Sequence, residues 1–225
     1  MTTMNKLFDT HAHYFATKFN ELEGGAEAIL NSDEFKDTVG RVVCVGSDPI
    51  NSRISVDLAK KYDFMYAAVG IHPEDAQNMC KKTPDEEIFD CVESMIADEN
   101  IRKENKIVAV GEIGFDYYWE PVEKELQYEY FYRQMELAER YGLPVVIHDR
   151  EAHGDTMDVI RDFKVVEKKK LEIPKEVIGI AKCKNPKCVT NHQPIKTKFA
   201  TVHEGDKISL KCHYCEKITS IKHAL

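Results

Sequence analysis

Four cysteines near the end of the chain constrain its folding more than any other feature. Cys183-x4-Cys188 is followed, after a gap of 23 residues, by Cys212-x2-Cys215. Two short pairs separated by an insert of hairpin size can bring four thiolates to tetrahedral distance around one Zn²⁺. A closed shell of four thiolates leaves no position for water, so such a zinc is structural. Between the pairs, residues 195–202 and 207–210 read as strands, with Glu204-Gly205-Asp206 as the turn. So small a module has little core of its own, and metal binding must supply much of its folding free energy. The chain has seven cysteines, an odd count that excludes a complete disulfide framework. A reducing, cytosolic compartment fits, and clustered cysteines there are metal ligands.

The formal net charge of −8 hides a division along the chain. Residues 1–163 carry 17 Lys and Arg against 33 Asp and Glu, whereas residues 164–225 carry 14 against 6. The remaining cysteines, Cys44, Cys80 and Cys91, are scattered through the acidic part. A boundary near residue 163 follows, giving domains of residues 1–163 and 164–225. The acidic residues are interspersed with apolar ones, which reads as a solvated surface; such a surface does not favour DNA. Hydrophobic residues make up 43%, including ten Phe and ten Tyr, and this excludes wholesale disorder. No apolar stretch approaches bilayer length, and the N-terminus lacks a basic segment followed by a long apolar run. A soluble, cytoplasmic protein without a membrane partner is expected.

Apolar runs of strand length recur through the first part, at residues 6–8, 41–45, 64–69, 106–110 and 143–147, with helix-period segments between them. Thr83-Pro84-Asp85-Glu86 reads as an N-cap, a Pro at the first helical position and a capping Glu, ahead of Ile88, Val92 and Met95 on one face. Tyr128, Phe131, Met135 and Ala138 make a second apolar stripe and read as core. Strands apolar on both faces need helices over them, so the sheet is expected to be parallel and buried, in an α/β fold.

Polar residues collect just past the C-terminal ends of these runs. Asp9, His11 and His13 follow the first, His72 the third, Glu112 and Asp116 the fourth, and His148, Asp149 and Arg150 the fifth. In parallel α/β folds that edge is where sites are built. His11 and His13 are two apart and point to the same side of an extended backbone. His148 and Glu112 reach the same edge from other strands. Imidazole plus carboxylate suits Zn, Mn or a similar divalent ion, and a carboxylate can bridge two metals. His72, before Pro73, is expected to pack or cap beside the site, and His153 to start a helix. Cys44, between Val43 and Val45, is expected to be an inert core thiol.

The segments FDTHAH (8–13), VGIHPEDA (69–76), VGEIGFDYY (110–118) and PVVIHDREAHGDT (144–156) resemble the TatD family of metal-dependent deoxyribonucleases, which are TIM-barrel hydrolases. The resemblance covers about 155 residues. It implies DNA as substrate and phosphodiester cleavage at a divalent-metal site taking Zn²⁺, Mn²⁺ or Mg²⁺. The implied ligands are His11, His13, Glu112 and His148, with Glu112 as the bridge and the catalytic residue. The family has two further ligands, a His after strand 6 and an Asp after strand 8, and this sequence contains neither those motifs nor those strands. A full (β/α)8 barrel usually needs ~250 residues, and 163 suffice for five units. Five parallel strands cannot close a barrel. The expectation is a partial TIM-type barrel with open sheet edges, through which copies of the chain could pair, and an impaired activity.

The second part carries a resemblance of its own. KVVEKKKLEIPKEVIGIAKCKNPKCVTNHQPIKTKF and LKCHYCEK are similar to the C-terminal zinc domain of the aspartate carbamoyltransferase regulatory chain, and the x4, x23, x2 spacing fits that family. This implies zinc at Cys183, Cys188, Cys212 and Cys215 and docking onto aspartate carbamoyltransferase catalytic chains, in pyrimidine biosynthesis. The family's nucleotide-binding domain is absent. A nucleic-acid zinc ribbon is the competing reading of the basic charge, but the lysines are spread out and only Phe199 and Tyr214 are interleaved aromatics. Residues 158–168, where the two parts abut, contain no Gly, Ser or Pro linker, which reads as a fusion of two incomplete genes or a sequence-assembly product. Two functions from different classes follow: a TatD-like hydrolase carrying a structural zinc domain, or a zinc-dependent binding module.

Overall fold

Apolar strands alternate with amphipathic helices through the first of two units, residues 1–164, and give way to an antiparallel sheet in the second, residues 165–225. The computed structural model describes residues 6–163, 174–204 and 207–220. In the first unit, β1 (Leu7–Ala12), β2 (Val39–Val45), β3 (Met65–Val69), β4 (Ile107–Asp116) and β5 (Val145–Arg150) form one sheet in that order. Every neighbouring pair is parallel. Helices α1 (Gly25–Asn31) and α2 (Asp33–Thr38) lie between β1 and β2, and α3 (Pro49–Lys61) between β2 and β3. Helices α4 (Pro73–Met79), α5 (Asp85–Ile96) and α6 (Glu99–Glu104) precede β4, α7 (Lys124–Tyr141) precedes β5, and α8 (His153–Asp162) follows it. A parallel sheet in chain order with helical crossovers is the progression of a (β/α) barrel rather than of a doubly wound sheet. This is the expected five-unit partial barrel.

The helices begin where local chemistry starts them. Asp48 accepts from the Asn51 N–H at 2.8 Å with Pro49 in the first position of α3. Asp98 accepts from the Asn100 and Ile101 N–H groups at the start of α6. Helix α5 differs from expectation: Pro84, not Thr83, is its N-cap, and no side chain caps it. Three acids in its first turn, Asp85, Glu86 and Glu87, favour that end through the helix dipole instead.

One face of the strands, carrying Val42, Cys44, Val69 and Val110, packs with Val56 and Ala59 of α3, Ile88 and Val92 of α5, and Phe131, Met135 and Ala138 of α7. Cys44 is fully buried there, and burial pushes its thiol pKa up. Tyr128 departs from the expected stripe on α7: it is exposed and stacks on Tyr132 instead. The other face carries a smaller cluster of Val43, Val45, Ala68 and Ala109. Burial on both faces therefore holds for β2 to β4 only. Along the edge strands exposure is greater, and Phe8 of β1 is 55% exposed.

The second unit is a four-stranded antiparallel sheet in the order β6 (Glu176–Ile178), β7 (Lys198–Glu204), β8 (Lys207–Cys212), β9 (Ile218–Ser220). Its core is Phe199, Leu210 and Ala181 packed with buried cysteines. The two expected strands are present but begin or end later than their apolar runs, and two short outer strands add to them. Gly205 and Asp206 of the expected turn lie outside the described residues, as do residues 164–168 of the junction. Among the described residues no helix is long and apolar enough to cross a membrane.

Candidate metal centres

Three of the strands run further than their apolar segments, so several polar residues expected just beyond them lie inside them. Asp9 and His11 are within β1, Glu112 and Asp116 within β4, and His148 within β5. Alternation explains the extension of β4: Ile113 and Phe115 are buried in the helix-facing core, which sends Glu112 and Asp116 to the opposite face. Gly114 lets β4 approach β5, where it pairs with His148. A Cβ at Gly114 would stand 2.0 Å from the His148 carbonyl oxygen, and its φ of +142° is one that other residues rarely adopt. The chain is tied across this edge by the Glu112 N–H donating to the Gly46 carbonyl at 2.8 Å and the His72 N–H donating to the Ser47 carbonyl at 2.7 Å.

Glu112 is the hub. Its Oε2 lies 3.1 Å from His11 Nε2 and 3.4 Å from His13 Nε2, and its Oε1 lies 2.8 Å from His148 Nδ1. The two imidazole nitrogens of His11 and His13 are 3.0 Å apart. His13 Nδ1–H donates to the Val45 carbonyl at 2.7 Å, which makes Nε2 the nitrogen that faces the cluster. Burial pushes the Glu112 carboxyl up, but hydrogen bonds with His11, His13 and His148 outweigh it and hold the group well below the usual carboxylate range. The hydrogen bond with Glu112 raises His13. Burial works against a charged His148, yet its bonds to Glu112 and Asp116 raise it overall.

The coordinating atoms of His11, His13 and Glu112 lie within 4.8 Å of one another, and so do those of His72, Glu112 and His148. Neutral imidazoles and an ionised carboxylate at such spacing fit a divalent ion. Glu112 belongs to both groups and offers a different oxygen to each. His148 and His72 reach the cluster with qualifications. His148 stands between two carboxylates, Nε2 lying 2.9 Å from Asp116 Oδ2 and Nδ1 facing Glu112, so coordination through Nδ1 requires the proton there to leave while the one on Nε2 stays with Asp116. His72 caps α4, its Nδ1 accepting from the Glu74 N–H at 3.2 Å, and packs edge-on to His148. Burial, with His148 beside it, pushes the His72 pKa down to about 4. A neutral ring accepting at Nδ1 carries its proton on Nε2, so His72 can coordinate through Nε2 only by giving up the cap. His153 begins α8 and pairs with Asp149 at 2.8 Å, outside both groups.

Sequence reading missed the residues that brace this edge from behind. Gln127 exchanges two hydrogen bonds with the backbone of Asp116, both 2.9 Å. Gln134 does the same for Ile71, at 2.7 and 3.1 Å. Both are buried on α7, seven residues apart. Their signal was two polar residues recurring on the apolar face of a helix, where amide side chains need partners.

In the second unit the four cysteine sulfurs lie within 4.8 Å of one another. Cys183 and Cys215 sulfurs are 3.5 Å apart and those of Cys188 and Cys212 are 3.8 Å apart. Four sulfurs each ~2.3 Å from one zinc are separated by about 3.8 Å, so this cluster fits the ion. Hydrogen bonding from Asn185 brings Cys215 down to about 6, and Thr190 lowers Cys188. Burial pushes Cys183 up to about 12 and also raises Cys212. Asn191 holds the first cysteine loop closed, donating to the Cys183 and Asn185 carbonyls at 2.9 and 2.8 Å.

Comparison with known proteins also finds two parts, meeting some ten residues beyond the boundary between the two units. Residues 8–173 match the family of TatD related DNases, and residues 175–225 match the metal binding domain of the aspartate carbamoyltransferase regulatory chain. The uncharacterized metal-dependent hydrolase YabD of Bacillus subtilis is 37% identical over 157 residues, 69% of this chain and 55% of that protein. The aspartate carbamoyltransferase regulatory chain of Phocaeicola vulgatus is 52% identical over 61 residues, 27% of this chain and 39% of its own. In a crystal structure of YJJV, a TatD homolog from Escherichia coli, 55% of the chain superposes on 69% of this one, with a TM-score of 0.56 and 30% identity. The chain thus spans about half the length of the hydrolase relatives it matches and about two-fifths of the regulatory chains.

Proposed function

The chain belongs to the family of TatD-related DNases, and from that membership we propose that its first domain, residues 1–163, is a divalent-metal-dependent hydrolase cleaving phosphodiester bonds in DNA. Glu112 carries the reading: a buried, ionised carboxylate whose two oxygens face different imidazoles. His11, His13, Glu112 and His148 are its ligands, with Glu112 as bridge. Divalent ions held there would polarise the phosphate and bring the pKa of a bound water toward neutrality. The chain's own groups do the positioning. The Val45 carbonyl fixes the tautomer of His13, Asp116 orients His148, and Gln127 holds the backbone of Asp116. With a five-strand sheet the cluster has fewer walls than a closed barrel supplies, and a misplacement of ~1 Å can cost ~100-fold in rate. Slow cleavage of single-stranded DNA in Mn²⁺ or Mg²⁺, lost in Glu112→Ala, is expected from end-labelled substrate on gels. Cleavage that survives Glu112→Ala unchanged refutes the assignment.

The clustered thiols favour a second role for residues 164–225: a structural zinc domain that docks on aspartate carbamoyltransferase catalytic chains. Such a chain works in the cytoplasm, where its thiols stay reduced. Co-sedimentation with catalytic trimers tests the docking, and failure to co-sediment at micromolar concentrations overturns it. The outer edges of β1 and β5, unpaired among the described residues, also allow two chains to associate by strand pairing, which sedimentation velocity of the protein alone would reveal as dimer.

A further inference from the structure

At the end of β4 the chain turns through Asp116-Tyr117-Tyr118-Trp119, and the rings of this turn meet two cations. Tyr118 and Trp119 are 47% and 49% exposed, with their centroids 4.7 Å apart, edge to face. Arg150, at the end of β5, lays its guanidinium 3.8 Å from the Tyr118 centroid and 5.4 Å from that of Trp119. Lys124, opening α7, stands 4.0 Å over Tyr117. Among the described residues Arg150 has no carboxylate partner, although acids outnumber bases by nearly two to one in this part of the chain. Lys124 is 3.9 Å from Asp155, so Arg150 is the unneutralised cation.

The turn is held firmly. The Tyr118 N–H donates to Asp116 Oδ1 and the Tyr117 N–H to the Arg150 carbonyl, both at 2.9 Å. The other carboxylate oxygen of Asp116 is the one bonded to His148. The aromatic turn is therefore anchored, through a single side chain, to the metal cluster. Two large rings left about half exposed beside a cation lie outside the apolar core. They match what a single nucleic-acid strand requires: a π surface for a base and a positive group for its phosphate.

We propose that Tyr118, Trp119 and Arg150 form a stacking subsite for a nucleobase of single-stranded DNA, holding the strand beside the metal cluster. The proposal rests on the hydrolase reading above. Every base offers a π face, so the subsite tolerates any sequence. Trp119 is the only tryptophan in the chain, beside ten tyrosines, so fluorescence excited beyond the tyrosine absorption band reports on this subsite alone. The full-length protein is titrated with a single-stranded phosphorothioate DNA of roughly 12 nucleotides, and with an abasic strand of the same length. A saturable quench of Trp119 is expected with the first, and ~10-fold weaker binding with the second. In anisotropy with an end-labelled strand, Tyr118→Ala and Arg150→Ala should each weaken binding ~10-fold, and Tyr118→Phe should retain it. A labelled strand that binds without quenching Trp119, and equally well to Tyr118→Ala, overturns the subsite and leaves the hydrolase reading standing. A labelled strand that does not bind the chain at all overturns both.

Discussion

Glu112 is a carboxylate buried to 6% exposure that nonetheless stays ionised, because three imidazoles surround it and reverse the effect of burial. Replacing it with Ala leaves His11, His13 and His148 without their common partner. Divalent-ion affinity in isothermal titration should fall by at least ~100-fold, with the four-cysteine zinc retained. Gln127 acts at one remove. Gln127→Leu strands the N–H and C=O of Asp116 in a buried position, and urea denaturation of the first unit should report a loss of about 2 kcal/mol. Asp75 gives a pH test. Burial raises its carboxyl from 3.8 to about 6, against the lowering hydrogen bond from Ser47. A raised native pKa means that the protonated form is the one the fold prefers. Its stabilising contribution is thus full below 3.8 and is lost as the pH rises through about 6. The stability difference between wild type and Asp75→Asn should shift against the wild type across that window, and be flat above it.

Elements carry the site because their periodicities place it. Alternation along β4 separates Ile113 and Phe115 from Glu112 and Asp116, while the spacing of two at the end of β1 and just past it brings His11 and His13 together. Where β4 passes β5 only glycine fits: a methyl at Gly114 collides with backbone, which cannot rotate away as a side chain can. Gly114→Ala should cost about 3 kcal/mol, a value reserved for strain at special backbone positions. It should also lower metal affinity, since His148 is the residue displaced. The strand limits were legible only in part, because apolar content marks where a strand is buried and not where its hydrogen bonding ends. His11, Glu112 and His148 are polar strand residues on the face away from the helices, and composition disguised them as loop.

The chain as a whole combines two units with different sources of stability. The first has a large apolar core, whereas the second has Phe199, Leu210, Ala181 and its cysteines and needs an ion. Purified protein should carry close to one zinc per chain by atomic emission. Cys212→Ser, or a strong chelator under reducing conditions, should erase the NMR fingerprint of residues 174–220 and leave the helical circular dichroism of the first unit largely intact. Loss of both signals together would mean that the metal stabilises more than the small sheet.

Sequence alone determined what depends on local order along the chain. Alternating apolar runs and helical stripes imply a buried sheet of five parallel strands, the family resemblance implies the partial barrel, and two cysteine pairs imply a tetrahedral site, because spacing limits where four thiolates can meet. Motif order carried the family. Tertiary structure decided what depends on distant segments meeting. Only the meeting of β1, β4 and β5 sets the two oxygens of Glu112 toward different histidines, and only the placement of α7 recruits Gln127 and Gln134 to hold backbone 11 and 63 residues away. Spacing cannot reveal such pairings. A buried amide or carboxylate takes whichever partner the fold delivers, and that partner is set by which helix covers which strand.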